Sequence, residues 1–254
     1  RSIGIGSPGT CNSAAGVVER AYNLGWDHVP VCRMLEERFH VPCRLSNDAN
    51  CAALAEQVAG AAVGHDNVVL ITLGTGVGGG IVVEGKLLHG AHGSGAEIGH
   101  LVLNRDETVP CNCGKRGCVE QYCSATGIVR LAKRHLDSTD APSSLHTLKN
   151  LTCKDIFDAG KAGDKEALMI LDQYYAYMGE FLGNVCSTVD PEVVVIGGGV
   201  SNESDEQLLH PLQQLVERET IPCSAGKKTR IVKAQLGNQA GIIGAALLGK
   251  KKRI

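Results

Sequence analysis

Short apolar runs bounded by turn residues alternate along this chain with stretches of helical periodicity, and that alternation restricts the fold more than any other feature of the sequence. Residues 3–6, 41–45, 68–73, 80–83, 193–196 and 230–234 read as strands, each short and rich in Val, Ile or Leu. Residues 30–39, 49–62, 125–135, 164–189, 206–218 and 239–248 carry the spacing of helices. Helices that follow strands return the chain to the same edge of a sheet, so the pattern predicts an α/β fold with parallel pairing in part of each sheet. The step from Leu73 through glycines into residues 80–83, and on to Glu84-Gly85-Lys86, predicts an antiparallel meander instead.

At 254 residues the chain exceeds the usual size of one compact domain. The expected division is a smaller lobe from residues 1–65, with a helix at about 239–254 packing back on it, and a larger lobe from residues 66–238. Hydrophobic residues make up 43% and charged residues 20%, an ordinary globular balance. A net charge of -2 argues against a nucleic-acid-binding surface as the main business of the chain, and Lys250-Lys251-Lys252-Arg253 reads as a solvated end. No apolar run has the length that spans a bilayer. The expectation is therefore a cytoplasmic protein with no membrane partner. The 11 cysteines are scattered through a long α/β sequence and do not form the framework of a small secreted domain, so most are expected as buried thiols.

One group of cysteines stands apart. His100 is followed by Cys111-Asn112-Cys113-Gly114-Lys115-Arg116-Gly117-Cys118. Three thiolates and an imidazole close a tetrahedral zinc site, and turn glycines let one loop wrap all four ligands around the ion. With no open coordination position, the metal is read as structural. Cys123 is an alternative ligand by its place in the sequence, and equally a helix-packing residue.

Two glycine clusters follow strand candidates. In Leu73-Gly74-Thr75-Gly76-Val77-Gly78-Gly79-Gly80, glycines let backbone N–H groups approach phosphate oxygens, and Thr75 adds a hydroxyl; a plain hairpin turn fits the same residues. No Gly-Lys-Ser/Thr closes it, so it is not a Walker loop. Ile196-Gly197-Gly198-Gly199 lies at the end of a strand and before a helix, where α/β folds bind nucleotides or simply pack tightly. At Ser46-Asn47-Asp48-Ala49-Asn50, between a strand and a helix, Asp48 is either a helix cap or a general base held ionised by the helix dipole. Glu97 and Glu120 flank the metal loop, as exposed acids or as acceptors for sugar hydroxyls.

Taken together and in order, Asn47-Asp48-Ala49-Asn50, the first glycine cluster, Gly95-Ala96-Glu97-Ile98-Gly99-His100, the cysteine loop through Glu120, and Ile196-Gly197-Gly198-Gly199 resemble the motifs of the ROK family of repressors, open reading frames and sugar kinases. The resemblance runs from Ile3 to about Leu248. It implies an actin-like or hexokinase-like ATPase fold of two ribonuclease H-like lobes with a zinc-binding loop, a hexose in the cleft, ATP on the larger lobe, Mg²⁺ at the phosphates, and a homodimer. Asp48 resembles the catalytic base; Gly9, Asn47, Glu97, His100 and Glu120 resemble the sugar-binding set, with His100 serving metal and sugar from its two ring nitrogens. Thr75 and Gly76 resemble the second phosphate loop, and Gly198 and Gly199 the adenosine motif.

The implied reaction is ATP-dependent phosphorylation of a hexose 6-hydroxyl. Glucose is the expected sugar because Gly93-Ser94-Gly95-Ala96-Glu97 is similar to that loop in the family's glucose kinases. N-acetylmannosamine or N-acetylglucosamine kinases, and a sugar-responsive repressor with a DNA-binding domain upstream, are the alternatives. The family's opening Asp-x-Gly-x-Thr hairpin has no match in this sequence, from which either a truncated or a naturally shortened kinase is expected, inactive as it stands.

Overall fold

The computed structural model describes residues 1–220 and 228–249, so the basic run at 250–253 lies outside the described residues. In chain order the elements are β1 (Ile3–Ser7), β2 (Thr10–Asn12), β3 (Val17–Ala21), β4 (Trp26–Val29), α1 (Val31–Phe39), β5 (Cys43–Asn47), α2 (Asp48–Ala59), β6 (Val68–Leu73), β7 (Val77–Val83), β8 (Lys86–Leu87), α3 (Glu120–Cys123), α4 (Ala125–Leu136), α5 (Cys153–Lys161), α6 (Lys165–Val189), β9 (Val193–Gly197), α7 (Leu209–Glu219), β10 (Arg230–Lys233) and α8 (Ala240–Leu248). The α/β class expected from the alternation is present. Two compact units form: one from Arg1–Ile71, Gly79–Glu97 and the chain from Ala234 onward, the other from Thr72–Gly78 and Ile98–Lys233. This differs from a break at 65/66, because β7 beyond Gly79 packs on α2, where Gly80 meets Ala49 and Ala53.

In the first unit β1 pairs β5 in parallel, Ile5 opposite Leu45, while β2, β3 and β4 form an antiparallel meander. Between them lies a core of Cys11, Val18, Ala21, Cys32, Cys43 and Leu45. The meander escapes the sequence pattern because its polar positions pair across strands: Arg20 with Asp27 at 3.1 Å and Glu19 with His28 at 2.9 Å. Helix α2 packs on α8 so closely that a Cβ on Gly244 would lie 1.7 Å from the Cys51 carbonyl oxygen. At its far end the fully buried Glu56 carboxylate accepts the backbone N–H of Ala61 at 2.8 Å, of Gln235 at 3.0 Å and of Leu236 at 2.8 Å.

A five-stranded sheet has the order β10-β9-β6-β7-β8, with β9 and β10 parallel and β7 and β8 antiparallel as the meander reading expects. In the second unit α6 presents Tyr174, Met178, Phe181 and Leu182 as fully buried side chains, each worth about 1.5–3 kcal/mol of transfer free energy. Phe157 of α5 meets Tyr174 edge to face at 6.1 Å. The short α5 was not read from periodicity, although Thr152 and Asp155 form a capping box at its start. No helix among the described residues is long and apolar enough to cross a membrane.

Helix α6 starts at a dense cap. Asp164 accepts the N–H groups of Glu166 and Ala167 at 3.1 and 3.2 Å, and on its other side the N–H of Ser144 at 2.8 Å and the Ser143 and Ser144 hydroxyls. Burial alone raises the Asp164 pKa, but the N–H groups of Ser144 and Ala167 and the two hydroxyls outweigh it and hold the carboxyl at about 2. Asp164→Ala is expected to destabilise the fold by ~1–2 kcal/mol at pH 7 in urea unfolding. Because the folded-state pKa lies below the unfolded value of ~3.9, that contribution is complete above it and fades as pH falls towards 2, so the gap between wild type and variant narrows in acid.

Candidate active site

The first unit gathers the acid end of the candidate site at the junction of β5 and α2. Asn47 is the cap of α2: its Oδ1 accepts the N–H groups of Ala49 at 2.9 Å and Asn50 at 3.3 Å, and its Nδ2 donates to the Gly9 carbonyl at 3.1 Å. Asp48 opens the helix itself, and the N–H groups that approach its carboxylate are those of Ala49, at 2.9 Å, and of its own residue. Although Asp48 is exposed, loss of hydration to the surrounding chain raises its pKa, against the lowering effect of those N–H groups.

Cys11 shows what else lies near. Burial pushes its thiol up to about 11, and the Asp48 and Glu97 charges push in the same direction. The loop that leads to Glu97 rests on β2: Ser13 and His89 Nδ1 lie 3.4 Å apart, and a Cβ on Gly93 would lie 2.2 Å from the Cys11 carbonyl oxygen. Gly9, Asn47, Asp48 and Glu97 are thus neighbours within one unit.

The second unit holds the metal-type group. The ligand atoms of His100, Cys111, Cys113 and Cys118 all lie within 4.8 Å of one another. Cys111 Sγ is 3.8 Å from His100 Nδ1, and Cys113 Sγ is 3.6 Å from Cys118 Sγ. A tetrahedron with ~2.3 Å Zn–S and ~2.1 Å Zn–N bonds has edges of roughly 3.5–3.8 Å, so the donor set fits zinc in both chemistry and spacing. The loop closes on itself through Cys111 N–H to the Lys115 carbonyl at 2.7 Å and Gly114 N–H to the Cys111 carbonyl at 2.8 Å, and Lys115 Nζ donates to the His100 carbonyl at 2.7 Å. Cys123 does not join this group; it is fully buried in α3. Glu120 bridges outward, its Oε1 3.8 Å from Cys111 Sγ and its Oε2 accepting the Val77 N–H at 3.1 Å.

That Val77 contact ties the metal loop to the first glycine cluster. Helix α4 holds the same cluster from its N-terminus: Ala125 N–H donates to the Gly74 carbonyl at 2.8 Å, and the Thr126 hydroxyl to the Thr75 carbonyl at 2.6 Å. The second cluster arrives from β9. Gly198, at φ +83, lies so near Leu73 that a Cβ would fall 2.5 Å from its carbonyl oxygen, so a side chain is excluded by both conformation and space. Thr75, Gly76, Gly198 and Gly199 therefore belong to one neighbourhood.

From Thr75 an open cavity of about 510 Å³ extends along the starts of α4 and α5, lined by Thr126, Arg130, Lys133, Thr152 and Cys153 among others. None of these was singled out in the sequence. The signals that mark them are the two helix starts, capped by Ser124 and Thr152. Arg130 and Lys133 supply positive charge to a wall otherwise made of hydroxyl and apolar groups.

A model described as the ROK family matches residues 1–252. A glucokinase of Halalkalibacterium halodurans is 44% identical over 98% of this chain and 76% of its own length. The crystal structure of a ROK family glucokinase from Streptomyces griseus in complex with glucose and AMPPNP superimposes with a TM-score of 0.81 at 36% identity, covering 98% of this chain and 81% of that one. A ROK family transcriptional regulator, a homologue of the E. coli MLC protein, gives 0.83 at 29% identity and covers 95% of this chain but 60% of its own. With a family model that spans nearly all of its length and a relative at this level of identity, the chain belongs to the ROK family.

Proposed function

We propose that this chain is a glucokinase that transfers the terminal phosphoryl group of ATP to the 6-hydroxyl of glucose. The observation that carries the proposal is the division of labour at the head of α2. Asn47 performs the capping, and loss of hydration raises the pKa of the Asp48 carboxylate beside it, which makes it a stronger base. The glucokinase relatives and the structure with glucose and AMPPNP support the choice of substrates.

In this reading Asp48 accepts the proton of the 6-hydroxyl as the oxygen attacks the terminal phosphorus and the bond to the ADP oxygen breaks. Gly9, Asn47, Glu97, His100 and Glu120 orient the sugar hydroxyls. Thr75, Gly76, Gly198 and Gly199 line the donor, whose base lies along the cavity beside Thr126 and Thr152. Mg²⁺ carried with the nucleotide neutralises phosphate charge. His100, Cys111, Cys113 and Cys118 would hold a structural zinc, which would fix the loop that carries Glu120 and leave the second ring nitrogen of His100 for a sugar hydroxyl. The actin-like, hexokinase-like class belongs to the same reading, supported by the parallel β1–β5 and β9–β10 pairs.

Initial rates against a sugar panel test the substrate. Glucose is expected to show a higher kcat/KM than N-acetylglucosamine or N-acetylmannosamine, because the Gly93–Glu97 loop is similar to that of the family's glucose kinases; a preference for either N-acetyl sugar overturns the assignment.

Asp48→Asn is expected to lower kcat by ~10²–10⁴ with glucose affinity kept within about tenfold. The acid limb of the wild-type kcat/KM profile is expected above the ordinary aspartate value of ~3.9, since the base must be ionised and its pKa is raised. A variant that retains more than about a tenth of wild-type kcat would reduce Asp48 to a helix residue.

Protein purified without added zinc is expected to hold about one equivalent of the metal. Cys113→Ser is expected to lose both metal and glucose binding, measured by elemental analysis and calorimetry. Metal-free protein with unchanged glucose affinity would break the coupling between loop and sugar.

A further inference from the structure

Between the ligands His100 and Cys111 the chain sends one residue inward. Glu107 is fully buried at its side chain and is surrounded by donors: the Tyr122 hydroxyl at 2.6 Å, the Val109 N–H at 3.0 Å, Arg130 Nη2 at 2.8 Å and Arg134 Nη1 at 3.0 Å. A carboxylate removed from water is costly unless it is paired and its lone pairs are satisfied. Burial raises the Glu107 pKa, but the hydrogen bonds from Tyr122, Val109 and Arg130 and the Arg130 charge reverse this and hold it well below the usual carboxylate range. The anion is therefore permanent at neutral pH.

Its two cations are not equivalent. Arg134 is more than half exposed and has no part in the cavity wall. Arg130 is three-quarters buried and lines the cavity that begins at Thr75. Its guanidinium is fixed from three directions: Nη2 on Glu107, Nε on the Gln121 carbonyl at 3.2 Å, and the ring of Tyr122 at 5.0 Å. Nη1 is buried with no hydrogen-bond partner among the described residues. A planar fork held this way cannot swing, and α4, which carries it, contacts Gly74 and Thr75 through its first turn.

We infer that Glu107 is a positioning residue for the phosphoryl donor: from within the metal loop it fixes Arg130, and with it the head of α4, at the wall of the nucleotide cavity. The inference rests on the reading of that cavity as the nucleotide site. Affinity for nucleotide then depends on a residue that touches neither nucleotide nor metal, and the metal loop serves the donor side through Glu107 as well as the sugar side through Glu120.

Calorimetric titration with ADP and Mg²⁺, together with zinc content and glucose affinity, tests this. Glu107→Gln is expected to raise the ADP Kd on the order of tenfold, the usual scale for loss of an orienting partner, with zinc stoichiometry and glucose Kd unchanged. Arg130→Met is expected to match it, and the double variant to add little, whereas Arg134→Met leaves the ADP Kd within about twofold. A simple scaffold for the loop would lose zinc and glucose binding along with ADP, and that outcome overturns the positioning role, as does an ADP Kd in Glu107→Gln equal to wild type. Should Glu107→Gln fail to fold, Arg130→Lys keeps the charge and removes the fork; an unchanged ADP Kd there overturns the inference. Failure of wild type to bind ADP is a separate result, which removes the nucleotide reading and the inference with it.

Discussion

A side chain at Gly198 would need to occupy the space of the Leu73 carbonyl, and the contact that glycine permits in its place brings the end of β9 against the end of β6. Everything proposed for the donor depends on that approach. Leu73 runs directly into Gly74 and Thr75, which α4 grips from its N-terminus and which the metal loop reaches through Glu120 and Val77. Backbone N–H groups of a loop can serve phosphate only if the loop does not spend them on itself and does not drift. Here the Gly74 and Thr75 carbonyls are held by α4, while the Gly74 N–H is spent on the Gly76 carbonyl at 3.0 Å and the Val77 N–H on Glu120.

The acid end obeys a similar rule. Helices need a cap, and a carboxylate at a helix start is usually consumed by that need. By placing Asn47 in the capping position the chain separates two tasks that one aspartate would otherwise combine. The same asparagine amide reaches the Gly9 carbonyl, so the turn after β1 and the start of α2 are set by one side chain. Close packing of α2 on α8 leaves the helix no freedom to tilt, and Asp48 inherits that rigidity.

Much of this was legible in the sequence because it is local. The strand at 68–73, the helices that became α2, α4 and α6, the four metal-type ligands and the Asn47-Asp48 junction each declare themselves within a few residues. The meander β2–β3–β4 did not, since Glu19, Arg20, Asp27 and His28 look like loop residues until their cross-strand partners are known. Thr126, Arg130 and Thr152 were missed for another reason: each is unremarkable in its own helix start, and only the cavity unites them. Glu107 reads as one more polar residue in a loop, and its burial is decided by two arginines more than twenty positions away.

Glu56 sets the order in which the first unit is able to assemble. Its carboxylate is satisfied by backbone groups at residues 235 and 236, and the packing face of α2 is covered by α8, so a chain still emerging from the ribosome has most of this unit exposed yet cannot complete it. Until residues 234–248 are made, the Glu56 carboxylate has the Ala61 N–H but lacks those of Gln235 and Leu236, and α2 has a bare apolar side. The second unit, by contrast, draws nearly all of its residues from one continuous stretch that is finished first. Vectorial synthesis therefore favours a nascent state in which the second unit has formed and the first waits for late, long-range contacts, a step that non-local pairing makes slow and open to misassociation.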